Sequence, residues 1–326
     1  EGWNIDILTS AHSGGHRPKA VLYTHYWHKA MMSAYDLFSE TRPENRRSAS
    51  GRTPGMTSQA DEMRSLYLQT ITVLSNTFRR LERQVPKPQQ VPFRDGFVFR
   101  FIEQTLEQAL LLKLARVVTG LRAVDVLLKA GLLQEMAATC RMLDEIGEDI
   151  AFLAAPLTND EITELHKRYL GGFWAEEFQA PDNTLARHQK PDTPKRNKIQ
   201  AYVQRVLNPD DNPSRIADVN QALSSTYSGY IHASAPQVMD LYGGNPAHFH
   251  IEGMQGTPLM EDHVYDAWNY FYRGIGGGIV VSRAFGDSSL SKTLGEFHDK
   301  FLEQSGERAN GLPRIAGAEP QLRQPA

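Results

Sequence analysis

From Leu133 onward, apolar side chains recur at Leu133, Met136, Cys140, Leu143, Gly147, Ile150 and Ala154. That 3-4-3-4 spacing predicts one face of an α-helix turned toward a core. The same period recurs along most of the chain. Met63, Leu66, Thr70, Leu74, Phe78 and Leu81 predict a helix that starts at Ser58, where Ser58 and Asp61 form a capping signal. The prolines of VPKPQQVP end it, because each removes a donor and restricts its predecessor. A helix is then expected over about Phe97–Ala130, interrupted near Gly120, with Gly131 handing over to the Leu133 helix. Two long helices joined at one glycine make an antiparallel hairpin.

Thr158-Asn-Asp-Glu161 reads as a capping box for a helix carrying Ile162, Leu165, Tyr169, Phe173 and Trp174 and ending near Phe178. The proline-rich stretch 180–198 reads as a solvated linker with a diluted basic cluster. Further helices are expected at about Arg196–Leu207, from Asn212-Pro213 through Tyr230, from Glu261 along Val264, Trp268, Phe271, Ile275, Gly278 and Ser282, and over about Ser289–Glu303. Strand-like alternation is confined to AHFHIEG, which contains His248 and His250. The pattern therefore predicts an all-α fold. It would be a single helical bundle of about seven or eight helices over 57–304, with an irregular loop after His232, a poorly structured leader over 1–56 and a flexible tail over 305–326.

Composition narrows the classes. The chain has 326 residues, long enough to bury a core without disulfides. Its formal net charge is -3, so no global electrostatic attraction to nucleic acid or an anionic membrane is expected. The longest apolar stretch, over 109–133, is broken by Lys113, Arg116, Arg122, Asp125 and Lys129, which argues against a membrane span. One cysteine, Cys140, permits no intrachain disulfide and fits a reducing cytoplasm. Its place on the apolar seam makes it a small core residue rather than a nucleophile. A homo-oligomer is compatible with all of this.

Three groups of residues could carry chemistry. Arg141, Glu145 and Glu148 share one helix face beside the apolar seam, with Asp144 and Asp149 flanking them. An Arg-carboxylate pair held out of water orients anions or neighbours, whereas the same pair on an open face is an ordinary i,i+4 ion pair. His232 follows Ser228 by four residues and Tyr227 by five. A histidine held by hydroxyls serves as acid or base near neutral pH, and equally can close a helix end against its negative pole. His248, His250 and Glu252 would point the same way in an extended segment and offer donors to a divalent metal. No cofactor motif is present: GIGGGI lacks the Gly-Lys-Ser/Thr ending of a phosphate loop and reads as close helix packing, and no Gly-x-Ser-x-Gly elbow occurs.

On LLKAGLLQEMAATCRMLDEIGEDIAFL (127–153) and LSSTYSGYIHASAPQVMDLYGG (223–244), the chain resembles a broad family of uncharacterised bacterial all-helical proteins, a domain of unknown function. The matching polar positions are Arg141-x-x-x-Glu145 and Ser228-x-x-x-His232. The resemblance implies a bundle in which the two helices pack together and bring Arg141, Glu145 and Glu148 near Tyr227, Ser228 and His232. It implies no established activity. Some bacterial helical bundles that cut RNA with an Arg-x4-6-His motif have a similar shape. Here the arginine preceding His232 is Arg215, too far upstream for that motif, so only Arg141 from another helix would complete such a site. Two functions are therefore expected. One is a binding or interaction module with a buried Arg/Glu/His cluster. The other is a low-turnover hydrolase, phosphodiesterase or ribonuclease-like, with His232 as acid/base, Arg141 on the anion and Glu145 orienting His232.

Overall fold

A computed structural model describes residues 59–159, 161–175, 192–207 and 228–305. The expected leader, the tail beyond Ser305, most of the linker and the helix from Asn212 as far as Tyr227 lie outside the described residues. The fold is all-α: among the described residues, eight helices are accompanied by two small antiparallel strand pairs. The helices are α1 (Gln59–Glu82), α2 (Leu106–Ala130), α3 (Leu133–Asn159), α4 (Glu164–Trp174), α5 (Arg196–Leu207), α6 (Ala235–Met239), α7 (Pro258–Ala284) and α8 (Ser288–Gln304). Residues 228–231 are also helical.

The predicted seams form the core. Met63, Leu66, Thr70, Leu74 and Leu81 of α1 are buried, as are Leu133, Met136, Cys140, Leu143, Gly147, Ile150 and Ala154 of α3. Helix α7 occupies the centre and packs against α1, α2, α3 and α8. Tyr67 stacks on Phe271 with ring centroids 4.0 Å apart. Leucine side chains pack directly onto two glycines of α7: a Cβ on Gly274 would lie 2.7 Å from Leu121 Cδ1, and one on Gly278 would lie 2.8 Å from Leu74 Cδ2. GIGGGI is thus a packing surface. Asp287 caps α8 by accepting from the Leu290 amide, and the Arg80 guanidinium binds it in a two-pronged pair at 2.7 and 2.6 Å, tying the end of α1 to the start of α8.

Gly131 ends α2 at φ 70°, a left-handed conformation that glycine adopts without strain. The segment 253–257 docks on that turn. The Met254 amide donates to the Gly131 carbonyl at 2.9 Å, and Gly253, at φ 122°, lies directly on the Ala130 carbonyl.

Three local expectations are corrected. The helix expected from Phe97 begins at Leu106, capped by Thr105 and Gln108 in a reciprocal box. Phe97–Arg100 belongs instead to a hairpin, β1 (Gln89–Phe93) with β2 (Gly96–Arg100), turning at Arg94-Asp95. Alternating exposed and half-buried positions on both strands outweigh the apolar count that favoured helix. No break occurs at Gly120: the helix runs through it, and Leu143 fills the space where a side chain there would be. Thr158 does not open a helix either: α3 runs through Pro156 to Asn159, and Thr163 is the N-cap of α4.

Pro156 explains that junction. Proline lacks the N–H that would bond the carbonyl four residues earlier, which is that of Phe152. His166 takes the vacated place, its Nε2 lying 3.2 Å from the Phe152 carbonyl. The Thr163 amide points at Nδ1 at 3.2 Å, so Nδ1 accepts and Nε2 carries the proton. The ring is fully buried and stacks on Phe152 at 4.1 Å. Burial pulls its pKa below the ordinary histidine value, against the opposing pull of the Phe152 carbonyl.

Candidate functional site

One flank of α3 carries Arg141, Asp144, Glu145, Glu148 and Asp149 within little more than two turns. Neighbouring helices answer each acid with a cation or donor. Asp144 faces α7, where Arg273 Nη1 lies 2.6 Å from Oδ1 and the Tyr270 hydroxyl donates to Oδ2 at 3.4 Å. Asp149 faces α2 and α5: Lys113 Nζ donates to Oδ2 at 2.7 Å and Arg196 Nη1 to Oδ1 at 2.6 Å. Gln200 Nε2 donates to Glu148 Oε1 at 3.0 Å, while Oε2 is buried without a hydrogen bond, 3.6 Å from Arg196 Nη1. Glu145 pairs with Arg141 at 2.9 Å and lies 3.7 Å from Arg196. The set amounts to four carboxylates and four cations drawn from four helices.

Burial governs the electrostatics. It raises the pKa of Asp144, against the pull of Arg273 and Arg141. It raises that of Glu148 too, against Gln200 and Arg196. Burial also works against the charge on Arg196, but Asp149, Glu148 and Glu145 outweigh it, so the guanidinium holds its proton more tightly than usual. The Tyr169 hydroxyl is pushed far up, first by burial and then by Asp149. Charges taken out of water in this way need mutual partners, and the geometry supplies them.

A cavity of about 20 Å³ lies beside this flank, lined by Val117, Leu143, Ile150, Tyr270, Arg273 and the glycines 147, 274 and 277. It is large enough for one water molecule and too small for a substrate.

Of the second predicted set, the structure describes Ser228 and His232. Tyr227 is outside the described residues, and His232 is exposed in the turn that follows the 228–231 helix. The segment it belongs to is anchored at the other end of α3, where Gln134 Nε2 donates to the Gln237 carbonyl at 2.6 Å. Arg141 and Glu145 lie seven and eleven residues further along α3, roughly 10 and 16 Å at the helical rise. Among the described residues, no hydrogen bond or ion pair joins Ser228 or His232 to Arg141, Glu145 or Glu148. The expected packing of residues 214–227 against α3 falls outside the described residues.

The extended geometry proposed for His248, His250 and Glu252 is not formed. The strand covers only His248–Phe249, and Ile251-Glu252 turns away. His248 Nδ1 engages the Pro246 carbonyl at 2.9 Å, the two histidine rings lie 4.3 Å apart, and Glu252 is exposed. Among the described residues, no three His, Cys, Asp or Glu side chains are grouped to hold a metal. No described helix is long and apolar enough to cross a membrane.

Lys113, Arg196, Gln200, Tyr270 and Arg273 were not foreseen as members of the cluster. Lys113 read as one of the charges breaking an apolar run, and Arg196 as a basic residue where the linker meets a short helix. Their partners lie 36 to 129 residues away in sequence, beyond any local spacing. The chain matches no family model, no curated protein and no solved structure.

Proposed function

We propose that the chain is a binding or interaction module of the bacterial cytoplasm in which the Arg/Glu/Asp cluster is a structural clamp. The carrying observation is that every carboxylate on the flank of α3 meets a cation or donor from a neighbouring helix. A site built to bind an anion leaves part of its cationic charge uncommitted toward open space. Here Arg273 and Lys113 are mostly buried against their acids, and the adjoining cavity holds at most one water. A hydrolase using His232 with Arg141 and Glu145 is less favoured, because general acid-base catalysis requires those groups within bonding reach of one substrate. Equilibrium unfolding of Arg196→Met and His232→Ala tests the reading. The clamp requires a large loss of stability in the first and almost none in the second. Equal effects, or a phosphodiesterase activity lost with His232→Ala, overturn it.

A further inference from the structure

We propose that α4 is an acid-released lid over the Lys113–Asp149 end of the charged cluster, with His166 as the latch that holds it shut. The lid goes beyond the clamp proposed above and stands on the geometry of α4.

Helix α4 has 11 residues, too few to stay helical in water without packing. Only one of them, His166, is fully buried. Leu165, Tyr169, Leu170, Phe173 and Trp174 lie half-buried against the core. The inward face covers part of the cluster. Lys113 Nζ lies 5.0 Å from the centre of the Phe173 ring and 5.6 Å from that of Tyr169, and the Tyr169 hydroxyl donates to Asp149. Under these rings the Lys113 side chain is 16% exposed.

His166 ties α4 to both of its supports. Nε2–H donates to the Phe152 carbonyl of α3 at 3.2 Å, the ring stacks on Phe152, and it meets the Tyr202 ring of α5 edge to face at 4.8 Å. Nδ1 accepts from the Thr163 amide at 3.2 Å and lies 2.8 Å from the Thr163 hydroxyl. A proton added at Nδ1 disrupts this arrangement. The hydroxyl can turn its oxygen toward the new N–H, but the amide is only a donor and loses its acceptor where α4 begins.

Among the described residues, no carboxylate pairs with the ring. On α4, Glu164 pairs with Lys167 on the exposed side, and Arg168 reaches Asp192. On α3, Asp149 is taken by Lys113 and Arg196. On α5, the ring faces Tyr202, whose hydroxyl feels Glu161 and Arg205. A buried imidazolium without a counter-charge is costly. Burial accordingly holds the His166 pKa below the ordinary value, against the Phe152 carbonyl. With α4 released, the hydrated ring binds its proton at about 6.5. Opening therefore takes up a proton. The lid is shut above about pH 6.5 and opens progressively as pH falls toward the lowered value.

Hydrogen–deuterium exchange of the full chain at pH 7 and pH 5, corrected for intrinsic rates, tests this. Amides of 168–174 should lose up to about 25-fold in protection at pH 5 and exchange faster than those of α2 and α7 at both pH values. His166→Gln keeps a donor for the Phe152 carbonyl and takes no proton, so its α4 should lose that acid response. In wild type, the His166 ring followed by NMR should titrate below about 6.5, a readout that does not depend on the variant folding. Four results overturn the proposal. They are a loss under about threefold in α4, an equal loss in α2, α4 and α7, a His166→Gln variant with the wild-type response, or a ring titrating at or above about 6.5. None of them affects the clamp, which is read by unfolding of the Arg196 variants.

Discussion

Arg196 Nη1 lies 2.6 Å from Asp149 Oδ1, joining the first turn of α5 to the middle of α3 across 47 residues of chain. Asp149 is almost wholly buried and receives Lys113 on its other oxygen, so this single carboxylate binds α2, α3 and α5 together. Removing one partner of a buried pair leaves the other charge uncompensated, which matters more than the strength of the pair itself. Arg196→Met should therefore destabilise the protein by about 3 kcal/mol, toward the low end for a buried pair because Lys113 remains. Denaturant unfolding would register it as a lower midpoint at unchanged slope.

His232→Ala should change stability by less than about 0.5 kcal/mol, as expected for a surface position with no special role. His232 is exposed, and its amide bonds the Ser228 carbonyl regardless of the side chain. Thermal melting of the variant beside wild type checks this.

How much of this could be read from the sequence follows from how far each signal reaches. The α3 seam from Leu133 to Ala154 and the α7 seam from Val264 to Ser282 repeat every three or four residues, so periodicity alone finds them. Gly131 announces the corner by its chemistry. Arg141, Glu145 and Glu148 fall on one face by arithmetic. Phe97–Arg100 misled because four residues of apolar alternation look like the start of the long apolar helix behind them. The Asp95-Gly96 dipeptide was the available hairpin cue. Thr158 misled because Thr158-Asn-Asp-Glu161 has the composition of a capping box, whereas α3 continues through Pro156 to Asn159 with His166 at the Phe152 carbonyl. The cations that complete the cluster come from tertiary packing, which no spacing within one helix encodes.

The glycines of α7 should separate by what faces them. Gly277→Ala meets only Ile150 Cδ1 at 3.9 Å, ordinary contact beside the small cavity. It should stabilise by about 0.5 to 1 kcal/mol through helix propensity. At Gly274 the added methyl would be 2.7 Å from Leu121 Cδ1, so Gly274→Ala should destabilise by about 1 to 2 kcal/mol once the propensity gain is offset by overpacking. The opposite signs, three residues apart, are readable in melting temperatures.

His298 is buried against Tyr272, centroids 4.1 Å apart, and burial lowers its pKa to about 4. The unfolded chain binds a proton near the ordinary value of about 6.5, so in the window between these values it holds more protons than the folded protein. Stability attributable to His298 is complete above that window and is lost as pH falls toward about 4. His298→Phe should flatten the acid limb of the stability curve by about 3 kcal/mol between pH 7 and 4. His166, also lowered, adds in the same direction, whereas Asp144 and Glu148, both raised, act oppositely. The difference between variant and wild type isolates His298.

The clamp is tested most directly by a double-mutant cycle on Arg196 and Asp149, using Arg196→Met, Asp149→Leu and the pair, with stability from denaturant unfolding. A coupling of about 1.5 kcal/mol or more, with the double variant more stable than the sum of the two losses predicts, is the expected result. Additive losses, with coupling within about 0.3 kcal/mol of zero, would contradict the claim that these charges hold the helices together.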